Sequence, residues 1–172
     1  SISKGRGIET ILEAFSKLNQ KYGDQYNVVF MGYGVLVEKV KEYSRNNSNI
    51  FYQVAVAPDV VLNYTMSADF GLCMTQPNCL NHFYCLPNKF FEYMAANIPV
   101  ISANLIEVKK LVDEYNLGVV MNEYTSDGLM TAVLESSEFD EVNFNKNIVK
   151  FNTDFSWENQ AENILSKVYK SE

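Results

Sequence analysis

The chain has 172 residues, 47% hydrophobic and 20% charged, with a formal net charge of −7. That length suits one domain, residues 1–172, with a substantial core, and the composition is that of an ordinary globular protein. The acidic balance without a basic block argues against a nucleic-acid partner and against docking of this surface on anionic lipid. No stretch reaches the ~20 apolar residues of a transmembrane segment, so peripheral membrane contact would need a further domain.

In chain order, Ser1 to Gly7 carries Lys4 and Arg6 but no apolar run, which predicts no signal peptide. Ile8, Ile11, Leu12, Phe15 and Leu18 then recur at helical spacing, and Val28-Val29-Phe30-Met31 forms a short apolar run ending at Gly32. Leu36, Val37, Val40 and Tyr43 predict a second helix, Ile50-Phe51-Tyr52 a strand, and Val60, Val61 and Tyr64 a short helix. Phe70 to Met74 reads as another strand and Gln76 to Tyr84 as a polar loop. A helix from about Pro87 to Ala96 precedes the strand Pro99–Ser102. Leu105 to Tyr115 is a helix, Gly118 to Met121 a strand and Leu129 to Glu135 a helix. Trp157, Ala161, Ile164, Leu165 and Val168 mark a closing amphipathic helix with Ser156 as its N-cap.

Short apolar strands alternating with helices predict a doubly wound parallel sheet buried on both faces, three layers deep in the order α/β/α. Such sheets bind ligands at the carboxyl ends of their strands, here the loops after Met31, Tyr52, Met74 and Ser102. A doubly wound domain normally opens with a strand, whereas this chain reaches a turn and a helix almost at once. The expectation is a fragment that begins within or just after its first strand.

The most informative stretch runs from Leu86 to Ile101. Pro87 suits a first helical position, Leu86 offers no capping oxygen, and the N–H groups of Asn88 and Lys89 are left without an acceptor. A helix start with free N–H groups, a positive dipole end and a nearby lysine suits an anion. Asn88, Lys89 and Glu92 share one face, where Lys89 and Glu92 are either site residues or a solvated surface pair.

Pro87-Asn88-Lys89-Phe90-Phe91-Glu92-Tyr93-Met94-Ala95-Ala96, followed by Ile98-Pro99-Val100-Ile101, resembles the C-terminal donor domain of family 4 glycosyltransferases of the GT-B fold. Asn97 stands where that family usually has glycine, and asparagine tolerates the left-handed conformation expected there. Arg6-Gly7-Ile8-Glu9, Met31-Gly32-Tyr33-Gly34, Tyr64 to Asp69 and Phe155-Ser156-Trp157-Glu158 extend the resemblance over nearly the whole chain.

The resemblance implies a Rossmann-like domain that binds a nucleotide-diphosphate sugar as donor substrate, with no cofactor. It further implies hexosyl transfer with retention to an acceptor held by an N-terminal domain absent from this chain, so that the domain alone would transfer nothing. Glu92 would bind the ribose hydroxyls, and Arg6, with Lys89 as a second cation, would neutralise the diphosphate. Gly32 and Gly34 would admit the donor close to backbone, and the backbone of Val54 and Ala55 would face the base. The turn Cys85-Leu86-Pro87-Asn88 would lie against sugar and phosphates. The family often has a glutamate where this chain has Tyr84, which either contacts a different sugar or is a plain loop residue.

No Asp-x-Asp pair is present, which predicts metal-independent binding, and His82 reads as an exposed loop histidine near the expected sugar. Cys73 reads as core, Cys79 and Cys85 lack a nucleophile's context, and an odd count of three cysteines points to reduced thiols and a cytoplasmic location. A nucleotide-sugar epimerase of the same architecture is disfavoured by the single histidine. A dinucleotide-dependent oxidoreductase is disfavoured because Gly32-Tyr33-Gly34 has no third glycine and comes one strand late. A non-catalytic nucleotide-binding module stays open.

Overall fold

The computed structural model describes residues 1–168. Helix α1 (Ile8–Tyr22) is followed by β1 (Val28–Met31), α2 (Val37–Asn46), β2 (Ile50–Gln53), α3 (Pro58–Thr65) and β3 (Gly71–Cys73). Then come α4 (Leu80–Phe83), α5 (Asn88–Ala95), β4 (Val100–Ser102), α6 (Ile106–Tyr115), β5 (Gly118–Val120), α7 (Ser126–Glu135), α8 (Glu141–Asp154) and α9 (Trp157–Val168). All strand pairs are parallel, with Val28 opposite Ile50, Gly71 opposite Val100 and Val100 opposite Gly118. The chain is therefore an α/β protein of the Rossmann-like class.

The strands do not form one continuous sheet. β1 pairs with β2, and β3-β4-β5 form a separate three-stranded sheet. Burial differs accordingly. β4 is buried throughout: Ile101 joins a cluster with Leu12, Phe15, Phe30, Met121 and Leu129, while Val100 joins Cys73, Phe90, Leu105, Val108, Phe144 and Phe151 on the other face. β1 and β2 instead bury Val28, Phe30 and Ile50 against α1 and α2 and leave the register partners Val29 and Phe51 62% and 46% exposed. The expectation that every strand is buried on both faces fails there, because no described element covers the second face of this pair.

Two helices were not foreseen. α4 occupies part of the expected loop, and α8 fills the stretch before Trp157, capped by Asp140, whose Oδ1 accepts the Asn143 N–H at 2.9 Å. The signal for α8 was available, since its buried Phe144, Ile148 and Phe151 recur at helical spacing. Ser156 does cap α9, its Oγ accepting the Asn159 N–H at 3.3 Å, and Asn97 does adopt a left-handed conformation, with φ 53°.

Helix α8 positions the candidate site through an aromatic cluster. Phe151 packs edge-on to Phe90 of α5 at 5.8 Å and stacks on Phe155 at 4.5 Å, with Tyr115 closing the cluster at 5.4 Å from Phe151. Buried Phe90 and Met94, four residues apart, hold one side of α5 inward and leave the other side to solvent. Beside it, Gly71 takes the Tyr93 ring flat against its backbone, where any Cβ would collide. The Tyr93 hydroxyl donates to the Leu72 carbonyl at 3.3 Å, and burial pushes its ionisation well above the normal tyrosine range.

Candidate functional site

The residues singled out from the sequence gather at the carboxyl ends of the strands. Ile2 to Gly7 crosses this edge: the Ile2 N–H donates to the Tyr33 carbonyl at 2.8 Å beyond β1, and the Gln76 N–H donates to the Gly5 carbonyl at 3.0 Å beyond β3. Arg6 is exposed at the turn before α1. Its guanidinium lies near enough to Cys73 and Cys85 to favour their thiolates, against a larger effect of burial. Burial wins at both, raising Cys85 and pushing Cys73 up to about 12, so neither is a ready nucleophile at neutral pH. Arg6 and the Cys85–Asn88 turn therefore line one region.

The two glycines of the loop after β1 differ. Gly32, with φ 138°, has open space where a side chain would stand, so a ligand can approach its backbone. Gly34, with φ 149°, is already packed against the Ile2 carbonyl, and its missing side chain makes room for the protein's own backbone. Val54 and Ala55 are exposed in the loop between β2 and α3.

Pro87 stands one position earlier than expected, as the N-cap of α5, with φ −67° and no side-chain cap. Its carbonyl accepts the Phe90 N–H at 2.9 Å. Asn88 and Lys89 occupy the first two helical positions, whose N–H groups have no partner within a helix. Both side chains and that of Glu92 lie on the solvent side of α5, where Lys89 Nζ donates to Glu92 Oε2 at 2.6 Å. Each partner is about half exposed, so the pair contributes only about 0.2–0.5 kcal/mol and is easily exchanged for a ligand.

Tyr84 caps the end of α4 and is exposed, its ring edge-on to Phe83 at 6.0 Å. His82, expected to be exposed, is half-buried. Its Nδ1 lies 3.0 Å from the Gln76 carbonyl and 2.9 Å from Asn78 Oδ1. A carbonyl only accepts, so Nδ1 carries a proton and donates it to the Gln76 carbonyl. Its Cε1 would lie 3.8 Å from a side chain at Gly5, which places the ring beside the Arg6 turn. Nothing in the spacing of Gln76, Asn78 and His82 announces this clasp. Among the described residues no three His, Cys, Asp or Glu side chains gather to hold a metal ion, and no helix is long and apolar enough to cross a membrane.

The arrangement offers an exposed cation at Arg6, open backbone at Gly32, uncapped N–H groups at the start of α5 and a carboxylate beside them. Among solved structures the chain is similar to WaaG, a glycosyltransferase involved in lipopolysaccharide biosynthesis, with a TM-score of 0.66 at 14% identity over 97% of this chain and 44% of that one. It is also similar to the N-terminal domain of Candida albicans trehalose-6-phosphate phosphatase, with a TM-score of 0.64 at 14% identity over 87% of this chain and 36% of that one. The chain thus spans less than half the length of either structure, and at such identity the likeness establishes the fold alone. No curated protein sequence matches it. Residues 11–165 match the family described as glucosyltransferase 3-like, C-terminal domain. The chain belongs to that family of glycosyltransferase C-terminal domains.

Proposed function

We propose that this domain binds a nucleoside diphosphate sugar and stabilises the departing diphosphate during glycosyl transfer, with glucose, as the family's description suggests, the first sugar to test. The observation that carries the reading is the start of α5, where uncapped N–H groups, Lys89 and Glu92 share one solvent-facing surface at the carboxyl edge of a parallel sheet. Arg6 and the helix start meet the charge that develops on the β-phosphate, and in this reading no metal is required. The base lies over Val54 and Ala55, and Gly32 admits the donor beside its backbone.

Glu92 exchanges Lys89 for the ribose hydroxyls, which frees Lys89 for phosphate. The exchange is favourable because the surface pair contributes a few tenths of a kcal/mol, whereas a charge-assisted hydrogen bond contributes about 1.5–3 kcal/mol. The acceptor is held by another domain, transfer retains anomeric configuration and the enzyme works in the cytoplasm.

The test is a double cycle of Glu92→Ala against a 2′- or 3′-deoxy nucleotide. The wild-type domain should discriminate against at least one deoxy analogue by about 10- to 100-fold, and Glu92→Ala should remove most of that discrimination. Zero coupling for both analogues, in a variant with unchanged thermal unfolding, would exclude Glu92 from the ribose site.

A further inference from the structure

Between β3 and α5 the chain is held by hydrogen bonds more than by packing. Helix α4 buries none of its residues, and Leu80, Phe83 and Tyr84 stand exposed around it. A single helical turn without an apolar anchor is only marginally stable in water. Among the described residues from Gln76 to Asn88, the only side-chain hydrogen bonds are those of His82 with the Gln76 carbonyl and with Asn78.

These bonds join two distant parts of the candidate site. The Gln76 N–H donates to the Gly5 carbonyl, next to Arg6, at 3.0 Å. The Gln76 carbonyl in turn accepts from His82 Nδ1 at 3.0 Å. The His82 carbonyl accepts the Cys85 N–H at 3.4 Å, just ahead of Pro87 at the start of α5. The path from the Arg6 turn to that helix start therefore runs through both backbone groups of Gln76 and the ring of His82. The ring backs the turn directly, since its Cε1 would lie 3.8 Å from a side chain at Gly5, whose φ is 78°. Among the described residues no other side-chain hydrogen bond joins these two elements.

We propose that His82 is a positioning residue of the donor site, its Nδ1–H clasp setting Arg6 at the spacing from the start of α5 at which both reach one diphosphate. The inference rests on the donor-site reading above and adds to it the link between the two phosphate-binding elements. In that reading base and ribose are held elsewhere, by Val54, Ala55 and a Glu92 whose helix is anchored through Phe90 and Met94. The clasp should therefore matter to the diphosphate and little to the nucleoside.

Direct contact of His82 Nε2 with the donor is the competing role. The two roles use different ends of the ring, and two amide side chains separate them. Asn places an N–H donor at the δ position, where Nδ1 stands, and has nothing farther out. Gln lacks the δ donor and presents its amide near the Nε2 position.

The test is an NMR titration with whichever of the four common ribonucleoside diphosphates binds the wild-type domain most tightly, and with its parent nucleoside. His82→Gln should weaken the diphosphate about tenfold and the nucleoside less than about twofold. His82→Asn should recover most of the lost affinity. In an Arg6→Ala background His82→Gln should cost less than about twofold, because no cation is left to place. His82 is the chain's one histidine, so its ring nitrogens are read without ambiguity, and above the ring's titration Nδ1 should still carry a proton before any ligand is added. Thermal unfolding of each variant should stay near the wild-type temperature, since α4 buries nothing. An unprotonated Nδ1, equal losses for diphosphate and nucleoside, or an undiminished loss in the Arg6→Ala background would each overturn the proposal. So would tighter binding by His82→Gln than by His82→Asn, which would assign the ring to the donor itself. Diphosphate binding that His82→Gln leaves untouched defeats the proposal alone, whereas a wild-type domain that binds no nucleoside diphosphate defeats the donor-site reading and the proposal with it.

Discussion

The two halves of the molecule are built to different standards. In the β3-β4-β5 half, β4 is buried on both faces, and α5 is wedged between Gly71, through Tyr93, and the aromatic cluster around Phe151. In the β1-β2 half one face is packed against α1 and α2, and the other leaves Val29 and Phe51 in solvent. The site is divided accordingly. Asn88, Lys89 and Glu92 sit on a helix anchored in the well-packed half, whereas Arg6 and Gly32 sit where the halves meet. If Glu92 binds a ribose as proposed, its carboxylate must be held in one place, which the packing of α5 favours. Arg6, in its proposed role as phosphate cation, would tolerate a looser mount, because Coulomb attraction falls off slowly with distance.

Two phenylalanines separate the halves most sharply. Phe151, 1% exposed, touches Phe90, Phe91, Tyr115 and Phe155, so Phe151→Ala should lower unfolding free energy in urea by about 3–5 kcal/mol. Phe51→Ala, on the open face of β2, should lower it by roughly 1 kcal/mol or less. Equal losses would mean that the second face of β1-β2 is covered after all.

The junction comes next. Gly34→Ala forces a side chain into a backbone conformation glycine favours and onto the Ile2 carbonyl, so it should cost about 1–3 kcal/mol in thermal unfolding. A neutral result would show that Ile2 is not seated there. Helix α7, which packs on α1 and so ties the halves together, is capped by Thr125, whose Oγ1 accepts the Gly128 N–H at 3.0 Å. Thr125→Ala should cost about 1 kcal/mol by the same measurement.

The smallest effect concerns Glu13 on α1, whose carboxylate accepts from Ser126 Oγ at 2.9 Å and pairs with Lys17. Hydrogen bonds from Ser126 first and Lys17 second hold its pKa below the ordinary glutamate value. A depressed carboxyl contributes stability above its unfolded pKa and loses it as pH falls through the folded value. Glu13→Gln should therefore lower stability slightly at neutral pH, leave it nearly unchanged in strong acid, and so flatten the acid side of the stability curve. An unaltered acid limb would show that the Ser126 contact contributes nothing in solution.

Much of the architecture was legible because local chemistry and tertiary environment agreed. Val28 to Met31 and Val100 to Ser102 are strands in both readings, and Asn97 and Ser156 take the conformations their side chains favour. α8 is harder to read, because Asn143, Asn145, Asn147 and Asn152 favour loops, although Phe144, Ile148 and Phe151 trace a buried stripe. At the candidate site, the segment from Pro87 to Glu92 stood out because helix starts have a recognisable grammar. The His82 clasp did not, since its partners are a backbone carbonyl and one amide oxygen, and backbone carbonyls occur at every residue.

By itself the sequence determined the alternation of helices and parallel strands, the α/β class and the helix start that presents Asn88, Lys89 and Glu92 on one face. These follow from interactions within a few residues, where side-chain period and capping chemistry decide the outcome. Only the tertiary structure decided that Gly34 makes room for Ile2 and not for a ligand, that Lys89 rests on Glu92, and that the strands divide between β1 and β3. Each depends on groups brought together from distant parts of the chain or on the rotamer of an exposed side chain, and neither periodicity nor propensity carries that information.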